Sequence, residues 1–504
     1  MNHSRWALRY AAIAAAGLTA VAALPGGPAA AQSSSPSPQL KLIAAQRHIT
    51  VPKFGKFAFL DAGVYVVALR SAMQFDVQRT SYAKAITAEQ IIRGPSGQVT
   101  QRPLPRKWFD GFNGLRDFLR MTIKNTSGKI VANQLTDFCP GGFNQQRSSP
   151  NAPPRSPFPF GCFGNPFQLG TVWGLQRGWG ADAAGGRFRL RLGTYQLTVH
   201  LTTYWKRYFH VPAAMATRTI TIHVVKGRRC RFICPPIASR HPTNLASHPT
   251  NRSRPLASHP ASVPIMNHPP TRVLPDLSPL PSWGINVIHQ RGRNSQSQAI
   301  AFGATVWVGG HARLDVEGFR SNGSPVMKAW QYFYKNGRVV GRTRAGTMGF
   351  DGQPGHHHWH FEQFAHYRLL GANKTTVLKS RKVGFCIAPT DSINLVLPHA
   401  MWQPTFLGFG GGACGSPTAL WVRESLPLGW GDTYFQFIAG QSFNITNLPN
   451  GVYYIEISVN PRHVIHESNY KNNISLRKII LGGTLGARTV TVPAVHGIDP
   501  EHSG

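Results

Sequence analysis

His356, His358 and His360 stand at alternate positions in the stretch GHHHWHF, residues 355–361. Every second side chain of an extended strand projects to the same side. This spacing therefore offers three imidazole nitrogens to one metal ion. Imidazole suits copper, zinc, nickel and iron. With no thiolate or carboxylate neatly alongside, copper and zinc are favoured, and spacing does not choose between them. His357 faces the other way if the strand is regular. His366 follows at a distance that puts it either near the site or on the surface. A solvated histidine patch is the competing explanation. The run is internal and continues into a patterned FEQFAHYRLL, so it is not an expression tag. A zinc hydrolase would want a base motif such as His-Glu-x-x-His, which is missing here, and that reading ranks last.

A cluster of this kind needs strands to hold it, and the chain is patterned for strands. Alternation with period two marks GVYVVAL from Gly63, LRDFLRMTIKNTSGK, RFRLRLGTYQLTVHL and the closing RTITIHVVKG. The same habit returns in GATVWVGG, AWQYFYKNGRVVGRT, NGVYYIEISVNP and SLRKIILGG. Long helical patterns are scarce. Between the two groups lies LASHPTNRSRPLASHPASVP, a Pro-rich stretch that cannot bury a core. Its histidines would bind metal only weakly, and a solvated spacer is the better reading. The expected fold is all-β: two β-sandwich-like domains at 41–232 and 273–482, joined by a Pro/Ser/His-rich linker at 233–272. A flexible leader at 32–40 and a flexible tail at 483–504 complete the layout.

The N-terminus reads as a signal peptide over 1–31. Arg5 and Arg9 precede the apolar run YAAIAAAGLTAVAAL, and small residues suit cleavage after Ala31. The run is too short to span a bilayer comfortably, and no other long apolar stretch exists. The expected product is secreted, with a retained anchor as the alternative. Six cysteines in an exported chain suggest disulfides, and proximity favours Cys139 with Cys162, Cys230 with Cys234 and Cys386 with Cys414. The charge is lopsided, with 54 Lys+Arg against 19 Asp+Glu and a net +35. This predicts attraction to anionic surfaces such as cell-wall polymers, with no specific nucleic acid as partner. An Arg-rich composition without a binding role explains it equally well.

The segment GHHHWHFEQFAHYRLL resembles the copper segment of the lysyl oxidase family. The resemblance continues in order. SRKVGFC at 380–386 resembles the family's Lys-containing segment before a Cys. GWGDTYFQF at 429–437 resembles its Asp-Thr-Tyr segment, and ITNLPNGVYYIEISVNPRHVIHESNYKNNISLRKI its C-terminal block. LPDLSPLPSW at 274–283 resembles the opening of the catalytic domain. The match covers about 273–482 and leaves 41–232 untouched. Only Cys386 and Cys414 fall in it, fewer cysteines than in the animal enzymes, and 388–413 is unlike the animal segment.

The resemblance implies copper held by His356, His358 and His360. It also implies a self-derived lysine tyrosylquinone made from Lys382 and Tyr434. A lysine amine is a nucleophile only when neutral, so its pKa must be lowered. Lys382, set in RKVGFCI, is compatible with that. Copper would activate Tyr434 by binding it as phenolate. A bridge between Cys386 and Cys414 would limit the loop joining the two partners. The implied reaction is oxidative deamination of a primary amine, peptidyl lysine among the candidates. A base removes a proton from the α-carbon, hydrolysis gives an aldehyde, and O2 reoxidises the cofactor with release of hydrogen peroxide and ammonia. Asp432, two residues before Tyr434, is the candidate base, with a plain turn residue as the even alternative. Glu362 and His366 are weaker candidates. A chain this poor in carboxylates raises a difficulty for a cationic substrate unless the pocket itself is acidic. The competing reading is a catalytically silent β-sandwich protein that binds anionic cell-wall or surface polymers.

Overall fold

The computed structural model describes residues 40–227 and 263–501, except 95, 143, 292–295, 322, 354–356, 381, 383 and 405–413. The expected signal peptide, nearly all of the leader, Cys230, Cys234 and most of the expected linker lie outside the described residues. Among the described residues the protein is all-β, with one short α-helix, Thr203–Tyr208.

The N-terminal part builds two four-stranded sheets and one of seven strands. The expected closing strand is Thr217–Lys226. It lies antiparallel to Gly193–Leu201 and parallel to His48–Phe54. Period-two patterning buries Leu197, Val199 and Leu201 on one side of Gly193–Leu201 and Ile220, Ile222 and Val224 on its neighbour. These residues pack with Phe75, Phe118, Trp173 and Trp205 into one core.

The C-terminal part builds three sheets. The long strand Gln296–Gly310 is its spine and pairs with Pro275–Pro279, Trp283–Arg291, Trp430–Tyr434 and Ser442–Asn444. A second sheet runs Gly384–Phe385, His358–Glu362, Arg338–Asp351, Val326–Lys335, Leu314–Phe319 and Trp421–Leu426. The hairpin from Val326–Lys335 into Arg338–Asp351 turns on Asn336 and Gly337, both at positive φ (50° and 76°). That backbone suits Asn-Gly and matches the twist of paired strands. The third sheet carries Gly451–Val459 and Ile474–Thr484. Ala487–Thr491 adds a further strand to it, so part of the stretch expected to be a loose tail is paired. Its alternating ARTVT fits an edge strand, and Glu501 beyond it accepts from Ile285 N at 2.8 Å.

The two parts meet. Phe158 and Val172 belong to the core of the C-terminal part, beside residues such as Phe302, Trp359 and Phe385. Leu169 N and Gly170 N both donate to Ile393 O, and Leu395 N donates back to Gly170 O.

Candidate functional site

The histidine strand is fixed on both edges. His358–Glu362 pairs Asp351 with His358 and Gly349 with His360 on one side, and Phe361 with Phe385 on the other. Alternation then does what the spacing predicts for two histidines. The rings of His358 and His360 lie on one side with centroids 4.8 Å apart. Trp359 points the opposite way into the core, and its indole donates to Ser416 O at 2.9 Å. His357 precedes the strand at φ 52°, so regular extension begins only at His358. His356 lies outside the described residues. Asp351 Oδ2 stands 3.5 Å from His360 Nδ1. Gly384 permits this crowding, because a Cβ there would lie 2.9 Å from His360 Cβ.

Lys382 enters from the loop before Gly384–Phe385. It is buried, with 9% of its surface exposed. Its Nζ lies 4.4 Å from the centre of the Tyr434 ring and 5.0 Å from that of Phe385. Burial pulls its pKa down to about 8, against the opposing pull of Asp351 and Asp432. An amine with this pKa is substantially neutral near pH 8, as a nucleophile requires.

Tyr434 ends the strand Trp430–Tyr434, which is buried along its whole length. Its hydroxyl is clamped by one residue: it accepts from Cys386 N at 2.8 Å and donates to Cys386 O at 3.3 Å. Burial, and then the charge of Asp432, push its pKa well above the usual tyrosine value. Without a metal the group is therefore a phenol. The Cys386–Cys414 disulfide holds the clamp, and Cys414 O in turn accepts from Trp359 N at 2.9 Å. One covalent bridge thus joins the backbone that holds the Tyr434 hydroxyl to the histidine strand. The other described bridge is Cys139–Cys162.

Asp432 is two residues before Tyr434 and is buried. Burial, with Asp391 beside it, drives its pKa well up, while Lys382 acts in the other direction. Its Oδ2 makes no hydrogen bond among the described residues. Two further buried carboxylates adjoin. Glu424 accepts from Ile387 N at 2.9 Å and faces Asp432 and Tyr434. Asp391 accepts from Asn165. The site is acidic although the chain is not: Asp351, Asp391, Glu424 and Asp432 are four of its 19 Asp+Glu. Glu362 instead accepts from Thr347 Oγ1 at 2.5 Å. His366 stands in Ala365–Leu370 with Glu456 Oε1 4.0 Å away, on a carboxylate already held by Arg368.

Sequence reasoning missed Asp351, Asp391 and Glu424. Glu424 had a readable signal, since WVRESL puts it between the inward-facing Val422 and Leu426. The described donors suit copper in kind: two neighbouring imidazoles, with a carboxylate at the ring nitrogen of one. Among the described residues no group of three His, Cys, Asp or Glu is close enough to hold a metal.

Residues 413–489 match the family model described as Lysyl oxidase. Lysyl oxidase homolog 2 of Gallus gallus is 29% identical over 142 residues, 28% of this chain and 16% of that protein. Lysyl oxidase homolog 4 of Bos taurus is 28% identical over 169 residues, 33% of this chain and 19% of that protein. Lysyl oxidase homolog 3B of Danio rerio is 26% identical over 168 residues, 33% and 17% respectively. The matched segment thus spans less than a fifth of the length of each of these relatives.

Proposed function

We propose, from a C-terminal part that is lysyl oxidase-like in sequence, that this is a secreted copper-dependent amine oxidase. It converts a primary amine, peptidyl lysine included, to an aldehyde with O2, releasing hydrogen peroxide and ammonia. One observation carries the reading: a buried amine, Lys382 Nζ, stands 4.4 Å from the ring centre of Tyr434. His358 and His360, with His356, would hold the copper. Once present, copper and the lysine tyrosylquinone would supply oxygen activation and an electron sink.

The chain's own residues prepare this. Burial keeps about half of the Lys382 amine neutral near pH 8 and beside the ring it is to join. Cys386 fixes the Tyr434 oxygen with two backbone hydrogen bonds, so the ring does not turn away from Lys382. Asp432 offers an oxygen without a hydrogen-bond partner among the described residues and a pKa raised well above the usual carboxylate value by burial, which suits the proton taken from the substrate's α-carbon. The four carboxylates answer the difficulty of bringing a cationic amine to a cationic protein. We assign residues 1–31 to export, 273–482 to the oxidase and 41–232 to an accessory body.

The test is peptide mass spectrometry on copper-matured protein, with peroxide release from a panel of primary amines. The expected result is a covalent Lys382–Tyr434 peptide pair and peroxide, both abolished in Tyr434→Phe. The absence of that pair in the wild type would sink the reading. The excess of cations favours one alternative, a silent protein that binds anionic wall polymers. Salt-sensitive polymer binding with no peroxide from any amine would establish it.

A further inference from the structure

Asn165 comes from the N-terminal part, yet its side chain is fully buried against the strands that carry Asp432 and Tyr434. Its Nδ2 donates to Asp391 Oδ2 at 2.7 Å and to Thr305 Oγ1 at 3.1 Å. Its Oδ1 accepts from Phe167 N at 3.0 Å, which fixes which way the amide points. The loop around it is fastened at several points. Gln168 Nε2 donates to Ser392 Oγ at 3.0 Å, and Arg79 donates to Gln168 O at 2.9 Å and Pro166 O at 3.2 Å. The Cys139–Cys162 disulfide closes just before it. Gly164 allows the approach, because a Cβ there would lie 2.4 Å from Ser392 O.

Two routes run from Asn165 to the strand of Tyr434. Thr305 Oγ1 is 2.7 Å from Thr433 Oγ1. Asp391 accepts from Thr390 Oγ1, whose oxygen in turn receives Thr433 N at 2.7 Å. Thr433 lies between Asp432 and Tyr434 in sequence. Among the described residues the hydrogen bonds to Asp391 come from neutral donors, Asn165, Thr390 and Thr433. The charged group that faces it is Asp432, with Lys382 beyond. The Trp283 indole closes the pocket over Thr305 at 3.3 Å. A buried carboxylate in this position depends on its donors.

We propose that Asn165 is a positioning residue of the Lys382–Tyr434 site. Its amide gives Asp391 a neutral donor and, through Thr305, Thr390 and Thr433, sets the strand on which Asp432 and Tyr434 stand. The N-terminal part is then built into the catalytic unit. This rests on the amine-oxidase reading above, and Asn165 itself lies outside the lysyl oxidase match.

The test uses full-length protein matured with copper at pH 6 and pH 8.5. It reads the yield of the Lys382–Tyr434 peptide pair and kcat against pH, each relative to wild type at the same pH. Asn165→Asp keeps the shape. Protonated, the introduced carboxyl still donates to Asp391; ionised, it sets two like charges face to face. The expected result is near wild-type yield at pH 6 and a loss of tenfold or more at pH 8.5. Asn165→Leu, which never donates, loses yield at both. Where either variant fails to fold at pH 8.5, Thr305→Val, which removes one of the two routes, is expected to lower yield severalfold with a wild-type pH profile. Yields and pH profiles unchanged in all three variants, or an Asn165→Asp loss equal at the two pH values, would overturn the proposal alone. A wild type that forms no peptide pair would remove the amine-oxidase reading and this proposal with it.

Discussion

Lys382→Met in protein never exposed to copper isolates what burial does to the reactive amine. The lysine pKa falls from 10.5 to about 8 in the folded chain. At about 1.36 kcal/mol per pKa unit this corresponds to roughly 3 kcal/mol. The sign follows from proton counting. Below pH 8 the lysine is charged in both states, and the folded protein carries the whole penalty of a buried charge. Between pH 8 and 10.5 the unfolded chain binds more protons than the folded one, so stability rises with pH. Above 10.5 both are neutral and the penalty is gone. Methionine keeps most of the length and packs against Phe385 and Tyr434 without a charge. It forfeits the two cation–ring contacts, each worth about 0.5–1 kcal/mol. At pH 7 the variant should therefore be more stable than wild type by roughly 1–2 kcal/mol. By pH 10 that advantage should shrink by about 2 kcal/mol. The assay is urea unfolding of both proteins at the two pH values. Titrating groups that do not interact with Lys382 cancel in the double difference. A double difference near zero, or a variant less stable at pH 7, would refute a lowered lysine pKa.

The metal and the disulfide give two more expectations. His360→Ala should weaken copper binding by about a hundredfold or more, and Asp351→Asn, which alters the carboxylate 3.5 Å from His360 Nδ1, by about tenfold. Competition against a chelator of known affinity measures both, and equal effects would contradict the roles assigned. The Cys386→Ala/Cys414→Ala pair opens a loop of 28 residues. Chain entropy then predicts a loss of about 3–4 kcal/mol in urea unfolding, together with a lower yield of the Lys382–Tyr434 pair because the Tyr434 clamp slackens.

The strands were legible because their patterning is local. RTITIHVVKG buries Ile220, Ile222 and Val224 and NGVYYIEISVNP buries Tyr453, Ile455, Ile457 and Val459 at alternate positions, and each forms a strand. The same locality made the relation of His358 to His360 readable, since two residues along one strand share a face. Lys382 and Tyr434 were legible only through the order of short segments, because nothing in RKVGFC or GDTYF alone states that they meet. What stayed hidden depends on partners remote in sequence. Asp391 is an ordinary acid until Asn165, 226 residues away, and Asp432 close around it. The strand Ala487–Thr491 was hidden behind the Gly-rich turn that precedes it. Those glycines read as the end of a body, whereas Gly483 and Gly486, at φ 79° and 85°, turn the chain back onto its neighbour.

Charge in this protein works on two length scales. The net +35 is a property of the whole chain, and in physiological salt each exposed cation is screened within about 8 Å. The carboxylates Asp391, Glu424 and Asp432 lie inside, where water does not screen them. Burial raises the pKa of all three, Asp391 adds to the shift of Asp432, and Asp432 adds to those of Glu424 and Tyr434. The interior thus concentrates carboxyl groups, with Lys382, its own pKa lowered by burial, set beside Asp432. Positive charge added beside these carboxylates would favour their ionised forms. A protonated amine near Asp432 would favour its carboxylate. The same arrangement would therefore favour a cation beside Asp432. The basic exterior affects how fast such a cation arrives and has little bearing on how well it is held.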